Sequence, residues 1–316
     1  TKLYGLDESA NRELRAFVDK AVRADVPVLL LGETGVGKTV LARYLHDKSR
    51  GALPFVTVDC AAISTELIES ELFGHEKGAF TGAYTRKAGK VAAAGRGTVF
   101  VDEIGDLNPR LQGKLLRLIE SGEYEPVGST RTERSSARLI FATNRDLTAE
   151  VEARTFREDL FFRLNVLSHT IAPLYERKEF ILPLAEYFLQ VYAARMGSSV
   201  KGFTERAREA MLAHRWPGNI RELENAVMRA LIEVPEGEID AEALQLTEHS
   251  TTPAQAAGER TVPALENLDL KAARERLDRE YIQRALVLCD RNVSQAARKL
   301  NLSRNSLSDL IKKYNL

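Results

Sequence analysis

Cysteine is nearly absent from this 316-residue chain: only Cys60 and Cys289 occur, far apart and in segments of different pattern. That leaves no disulfide framework and no zinc-ligand spacing, and it suits a reducing cytoplasm. No run of about 18 apolar residues exists, so no membrane-spanning helix is expected. The opening Thr1-Lys2-Leu3-Tyr4 lacks both an initiator methionine and the basic-then-apolar pattern of a signal segment, as in a fragment or processed chain. Internal repeats and low-complexity tracts are missing too. Net charge is zero, with 45 Lys and Arg against 45 Asp and Glu, but the balance is uneven. Residues 271–316 carry 11 Lys and Arg against 5 Asp and Glu, a net of +6, so the remainder carries −6. A basic tail on an acidic body points to a nucleic-acid module, the plainer alternative being a solvated helix face.

With 44% hydrophobic residues the composition is globular, and the length allows two or three domains at roughly 100–200 residues each. Short apolar runs at 28–31, 55–58, 98–101 and 138–142 read as buried strands, with 166–171 as a fifth. The segments between them are long enough for helices. An α/β fold with a parallel sheet flanked by helices is therefore predicted over 1–172. The pattern then turns helical, predicting a small helical subdomain over 173–235. Residues 236–267 hold Gly237, Pro253, Gly258 and Pro263 among polar side chains and read as a linker, with room for a short helix at 239–246. Residues 268–316 are helical again.

Gly32-Glu33-Thr34-Gly35-Val36-Gly37-Lys38-Thr39 matches the phosphate-loop pattern in full, following a strand and opening a helix as that motif requires. Its glycines let backbone N–H groups turn inward around phosphates. Lys38 can reach the β- and γ-phosphates, and the Thr39 hydroxyl can ligate Mg²⁺. A chance match would not supply both flanks. Asp102-Glu103 ends the strand at 98–101. The first acid can hold Mg²⁺ and the second can polarise an attacking water, which binding alone does not need. The alternative, a cap for a helix near 109–119, has to span the loop at 104–108. Asn144 follows the strand at 138–142, where a polar side chain would face the γ-phosphate. Arg157 and Arg163 flank Leu160-Phe161-Phe162 at a spacing that could reach a phosphate on an adjacent subunit; surface pairing with Glu158 or Asp159 is the alternative.

Between these segments lies Gly78-Ala79-Phe80-Thr81-Gly82-Ala83, in which small residues frame one aromatic ring and one hydroxyl. It is a poor core segment and reads as a flexible loop presenting Phe80 and Thr81 outward.

Five stretches make residues 3 to about 235 resemble the central AAA+ ATPase domain of bacterial enhancer-binding proteins, the NtrC-like activators of sigma-54 RNA polymerase. They are the phosphate loop, Glu71-Leu72-Phe73-Gly74-His75-Glu76-Lys77 with the hexapeptide after it, Gly97 to Ile104, Phe156-Arg157-Glu158-Asp159-Leu160 with Arg163-Leu164, and Trp216-Pro217-Gly218-Asn219-Ile220-Arg221-Glu222-Leu223-Glu224-Asn225. The resemblance implies that Lys38, Thr39, Asp102 and Glu103 bind and hydrolyse Mg·ATP. It makes Asn144 a first sensor, Arg221 a second sensor in the helical lid, and Arg157 and Arg163 arginine fingers across a subunit boundary in a ring of six or seven. It implies that residues 78–83, Phe80 and Thr81 above all, contact sigma-54, and that Leu3 to Gly5 line an adenine pocket. Four positions depart from the family pattern. Asp59 stands where Asn is common, so an acid there would repel Glu103 or share its proton. Pro126 replaces a basic residue, and Tyr175 and Phe180 replace Arg and Asp.

In the tail, Val293, Ala296, Ala297 and Leu300 share a helical spacing that Leu307, Leu310, Ile311 and Tyr314 repeat. Asn301-Leu302-Ser303 between them supplies a turn and a helix cap. This is a helix-turn-helix pattern, an ordinary helical hairpin being the alternative. Arg298, Ser303, Arg304, Asn305, Ser306, Ser308 and Lys312 are its candidate DNA contacts. Residues 292–298 resemble the Fis-type module that ends many such activators, with Arg291 in place of a usual Gly. An apolar stripe from Leu270 through Leu277, Tyr281 and Leu288 suggests a dimer that reads two-fold symmetric enhancer DNA. The leading expectation is an ATP-driven activator of sigma-54 polymerase. A nucleotide-regulated DNA-binding protein without remodelling activity and a DNA-remodelling AAA+ enzyme are the alternatives.

Overall fold

The computed structural model describes residues 12–64 and 67–246, with single helical positions between Ile282 and Ile311. The chain divides into two compact units, Thr1–Glu248 and His249–Leu316.

In the first unit, α1 (Arg12–Arg23) precedes β1 (Val28–Leu31), α2 (Lys38–Arg50) and β2 (Phe55–Asp59). Then come α3 (Ile68–Phe73), the short strands β3 (Gly74–His75) and β4 (Lys87–Ala88), α4 (Lys90–Ala94) and β5 (Thr98–Asp102). α5 (Pro109–Ser121) is followed by β6 (Glu123–Tyr124), β7 (Glu133–Arg134), β8 (Arg138–Thr143), α6 (Leu147–Glu152), α7 (Glu158–Leu164) and β9 (Leu167–Thr170). The five long strands form one sheet in the order β2-β5-β8-β1-β9, every neighbouring pair parallel, as the sequence predicts.

The central strands β5, β8 and β1 read as near-continuous apolar runs because both their faces are covered, while the edge strands β2 and β9 are only partly buried. Alternate side chains divide between two cores. Val28, Leu30, Phe100, Ile140 and Ala142 pack with α1 and α2. Leu29, Val99, Val101, Leu139 and Phe141 pack with α3, α4, α5 and α7. Each buried strand side chain removes about 1.5–3 kcal/mol worth of apolar surface from water. Because the strands are parallel and adjacent, the ends of β1, β5 and β8 open on one edge of the sheet, the edge where such folds bind ligands.

The helix ends follow local chemistry. α5 starts where Asn108 accepts the Leu111 N–H at 2.9 Å, with Pro109 in its first turn, and stops at left-handed Gly122. Two short antiparallel hairpins, β3–β4 and β6–β7, project beside the sheet; the sequence does not announce them.

The lid comprises α8 (Ile181–Met196), β10 (Ser199–Phe203), α9 (Glu205–Ala213), α10 (Asn219–Glu233), β11 (Glu236–Ile239) and α11 (Ala241–Leu244). The purely helical expectation for this region needs correction, since β10 and β11 pair in parallel. Residues 236–246, expected at the head of a linker, instead contribute Ile239, Ala243 and Leu244 to the lid core around Trp216. Trp216 is fully buried, and its indole N–H donates to the Met211 carbonyl at 2.8 Å.

In the second unit the described positions include Val293, Ala297, Ser306, Leu307, Leu310 and Ile311, all helical. Ile282, Ala297 and Leu307 are buried there, and Ser306 is exposed. The other expected DNA contacts, Arg298, Ser303, Arg304, Asn305, Ser308 and Lys312, lie outside the described residues, as do the whole apolar stripe from Leu270 to Leu288 and Leu3 to Gly5.

Candidate nucleotide site and presented loop

At the strand ends the phosphate loop wraps the start of α2. Gly35 has a φ of +82°, and a Cβ there would lie 2.4 Å from the Gly218 carbonyl, so only glycine lets the lid approach this closely. Val36 packs into the core, not toward the site. Lys38 is 6% exposed, and its ammonium donates to the carbonyls of Gly32 at 2.8 Å and Glu33 at 3.3 Å. Its Nζ lies 3.7 Å from the Glu103 carboxylate. Burial lowers the Lys38 pKa, and the charges of Glu103 and Asp102 act in the opposite sense.

The Thr39 hydroxyl donates to Asp102 at 3.3 Å. Burial, and then the neighbouring Glu103 charge, raise the Asp102 pKa, with Lys38 opposing. Glu103 adopts a left-handed backbone with φ 53° at the end of β5. One oxygen of its carboxylate faces Lys38, and the other accepts the Asn144 N–H at 3.0 Å. The Asn144 amide donates to the Thr34 hydroxyl at 3.0 Å. These groups surround a cleft of about 590 Å³, onto which Arg221 opens from α10. The sequence-predicted set of Lys38, Thr39, Asp102, Glu103, Asn144 and Arg221 thus meets in one place.

Asp59 also lines the cleft. One of its carboxylate oxygens accepts the N–H groups of Ala61 at 3.0 Å and Ala62 at 3.2 Å. Arg157 and Arg163 are not brought to the cleft of their own protomer. Arg157 grips Asp159 with two bonds of 3.0 and 2.6 Å, and Arg163 pairs with Glu120 at 2.9 Å. Within one protomer both arginines therefore show the surface-pairing arrangement. Buried Gln112, unremarked in the sequence, sets the entry to α7 by accepting the Arg157 N–H at 2.8 Å.

The hexapeptide tops the β3–β4 hairpin. It closes on itself through Gly78 N–H to Ala83 carbonyl at 2.8 Å and Ala83 N–H to Phe80 carbonyl at 3.0 Å. Thr81 is exposed, as expected. Phe80 is exposed too, at 37%, and its ring stands edge-on against His75 at 5.0 Å, while Ser70 bonds the His75 ring at 2.7 Å. The second hairpin holds the base of the first. Val127 donates to Gly74 at 2.9 Å and accepts from Glu76 at 3.0 Å, and Gly128 abuts Ala79.

A sigma-54 interaction domain model matches residues 5–170, an AAA+ ATPase lid model matches 175–261, and a model of the Fis family of bacterial regulatory proteins matches 273–314. The chain belongs to the sigma-54 interaction-domain family. It is therefore an AAA+ ATPase domain with its lid, followed by a Fis-type helix-turn-helix. It is 44% identical to the transcriptional regulatory protein XylR of Pseudomonas putida over 98% of this chain and 57% of XylR. It is 44% identical to ZraR of Klebsiella oxytoca over 95% of this chain and 66% of ZraR. The chain thus spans between half and two thirds of these relatives. Among solved structures it resembles NtrX of Brucella abortus in complex with ADP, with TM-score 0.71 and 31% identity over 98% of this chain and 69% of NtrX. The NtrX complex with ATP is similarly close, at TM-score 0.70. Among the described residues no helix is long and apolar enough to cross a membrane.

Proposed function

We propose that this chain is the working part of an enhancer-binding transcriptional activator. It binds upstream DNA through its Fis-type tail, assembles as a ring, and uses ATP hydrolysis to convert the closed complex of sigma-54 RNA polymerase into the open one. Support for coupling comes from the exposed Phe80 and Thr81 on a hairpin of the same unit that holds the nucleotide cleft.

In this reading Lys38 and Arg221 hold phosphate charge, Glu103 takes the proton of the attacking water, and Asn144 reports the γ-phosphate. Arg157 and Arg163 leave Asp159 and Glu120 to serve the cleft of a neighbouring subunit. Mg²⁺ suits the donor set: a hydroxyl and a carboxylate already in contact, the latter destabilised by burial beside a second acid. An ion held by one hydroxyl and one carboxylate would complete its coordination with substrate phosphates and water. Thr39 and Asp102 would hold it, and it would supply charge neutralisation at the phosphates. The cytoplasm is the compartment this reading requires.

Open-complex formation in vitro with sigma-54 polymerase tests the reading. Thr81→Ala is expected to retain ATPase activity and lose promoter opening. Opening that survives the substitution favours a DNA-binding regulator without remodelling activity.

A further inference from the structure

Asn219 joins parts of the nucleotide site that are remote in sequence. It is fully buried and opens α10 with a φ of 52°, a conformation Asn tolerates better than most side chains. Its amide is fully engaged. Nδ2 donates to the Glu33 carboxylate at 2.9 Å and the Thr34 carbonyl at 3.1 Å, and Oδ1 accepts the Leu174 N–H at 2.7 Å. Leu174 is the first core residue of the lid, while Glu33 and Thr34 belong to the phosphate loop. The same turn is fastened twice more, by Ile220 N–H to the Gly35 carbonyl at 3.0 Å and Gly218 N–H to Glu222 at 2.7 Å. Two residues beyond Asn219, Arg221 opens onto the cleft, and its charge helps to lower the Lys38 pKa. From the opposite side Asn144 holds the Thr34 hydroxyl.

We propose that Asn219 is a positioning residue that acts through Arg221. Its amide clamps the first turn of α10 to the phosphate loop and so fixes the Arg221 guanidinium over bound phosphates. A lid that merely packed on the sheet would not need a buried left-handed amide satisfied on three sides. The proposal rests on reading Arg221 as a nucleotide contact, and its test separates the two.

The full chain is assayed for steady-state ATPase and for ADP binding. Asn219→Gly keeps the left-handed backbone and removes only the amide. It is expected to raise KM for ATP and Kd for ADP about tenfold, with a smaller fall in kcat. Arg221→Ala is expected to raise them at least as much, and the double variant to match Arg221→Ala alone, since residues acting as one unit are not additive. Effects that multiply would show that Asn219 acts independently, overturning the proposal. An unchanged KM in Asn219→Gly beside a raised one in Arg221→Ala would also overturn it, while leaving the Arg221 reading intact. A silent Arg221→Ala would remove both. A second pair decides the matter should Asn219→Gly fail to fold. Asn219→Asp sets a carboxylate against both Glu33 and the Thr34 carbonyl and should raise KM, and adding Glu33→Gln, which offers a donor in return, should recover part of the loss. Absence of that rescue counts against the clamp.

Discussion

The Thr39 hydroxyl donates to Asp102 at 3.3 Å, joining side chains 63 residues apart at the mouths of neighbouring structural segments. The carboxylate in that bond is held at a cost. Its surroundings favour the neutral form, first through burial and then through Glu103. Function and stability therefore pull against each other at this position.

Asp102→Asn should stabilise the nucleotide-free protein while abolishing hydrolysis. A folded-state pKa raised above the unfolded value makes a contribution to stability that is present below the unfolded pKa and lost as pH rises through the folded one. At neutral pH the ionised carboxylate is thus a liability, and removing it should raise Tm by about 2–4 °C, the shift that ~1 kcal/mol produces in a domain of this size. Phosphate release should fall at least about 100-fold. Thermal melts from pH 5 to pH 8 provide the check: the gain should be largest at the alkaline end, and a lower Tm there would show that the Thr39 bond outweighs the buried charge.

Arg157 pairs with Asp159 and Arg163 with Glu120, so the catalytic use proposed for them would require a second copy of the chain. Arg163→Ala should reduce ATPase by about a thousandfold or more while leaving nucleotide affinity within a few-fold. Mixing it with Glu103→Gln, inactive by itself, should recover activity, because one interface type then combines an intact cleft with an intact arginine. Mixtures as dead as their components would mean that the arginines serve only their surface ion pairs.

Asp59 lines the cleft that contains Glu103, and the N–H groups of Ala61 and Ala62 hold its carboxylate in place. An acid at this point adds negative charge where an amide would add none. Asp59→Asn is expected to change basal ATPase severalfold and to alter its response to the promoter complex. Identical rates and identical response in the two proteins would show that this position does not gate hydrolysis.

Much of this arrangement is legible in the chain itself. The strands at 28–31, 98–101 and 138–142 announce themselves because the centre of a parallel sheet, covered on both faces, needs nearly uninterrupted apolar runs, and the edge strand at 55–58 shows through its Phe and Val residues. β10 and β11 do not. Only Phe203 and Ile239 of the two are buried, Gly202 interrupts the first, and two helices, α9 and α10, lie between the paired strands. The β3–β4 and β6–β7 hairpins are two residues long on each side, too short for any periodicity to show. Phe80 reads as a presented side chain and is exposed, but its edge-on contact with His75 joins residues whose types alone do not predict that they meet.

The residue types and short spacings of the chain determined which chemistry is present: a glycine loop around phosphates, a lysine and threonine behind it, two acids at a strand end, an amide one strand away. These depend on a few consecutive backbone conformations, which local sequence specifies. Only the tertiary structure decided which of those groups meet. Asn219 contacts Thr34 across 185 residues, and Arg163 finds Glu120 in place of its own cleft. Such partners are chosen by the packing of whole helices against a twisted sheet, a property of the assembled core that no short window of sequence contains.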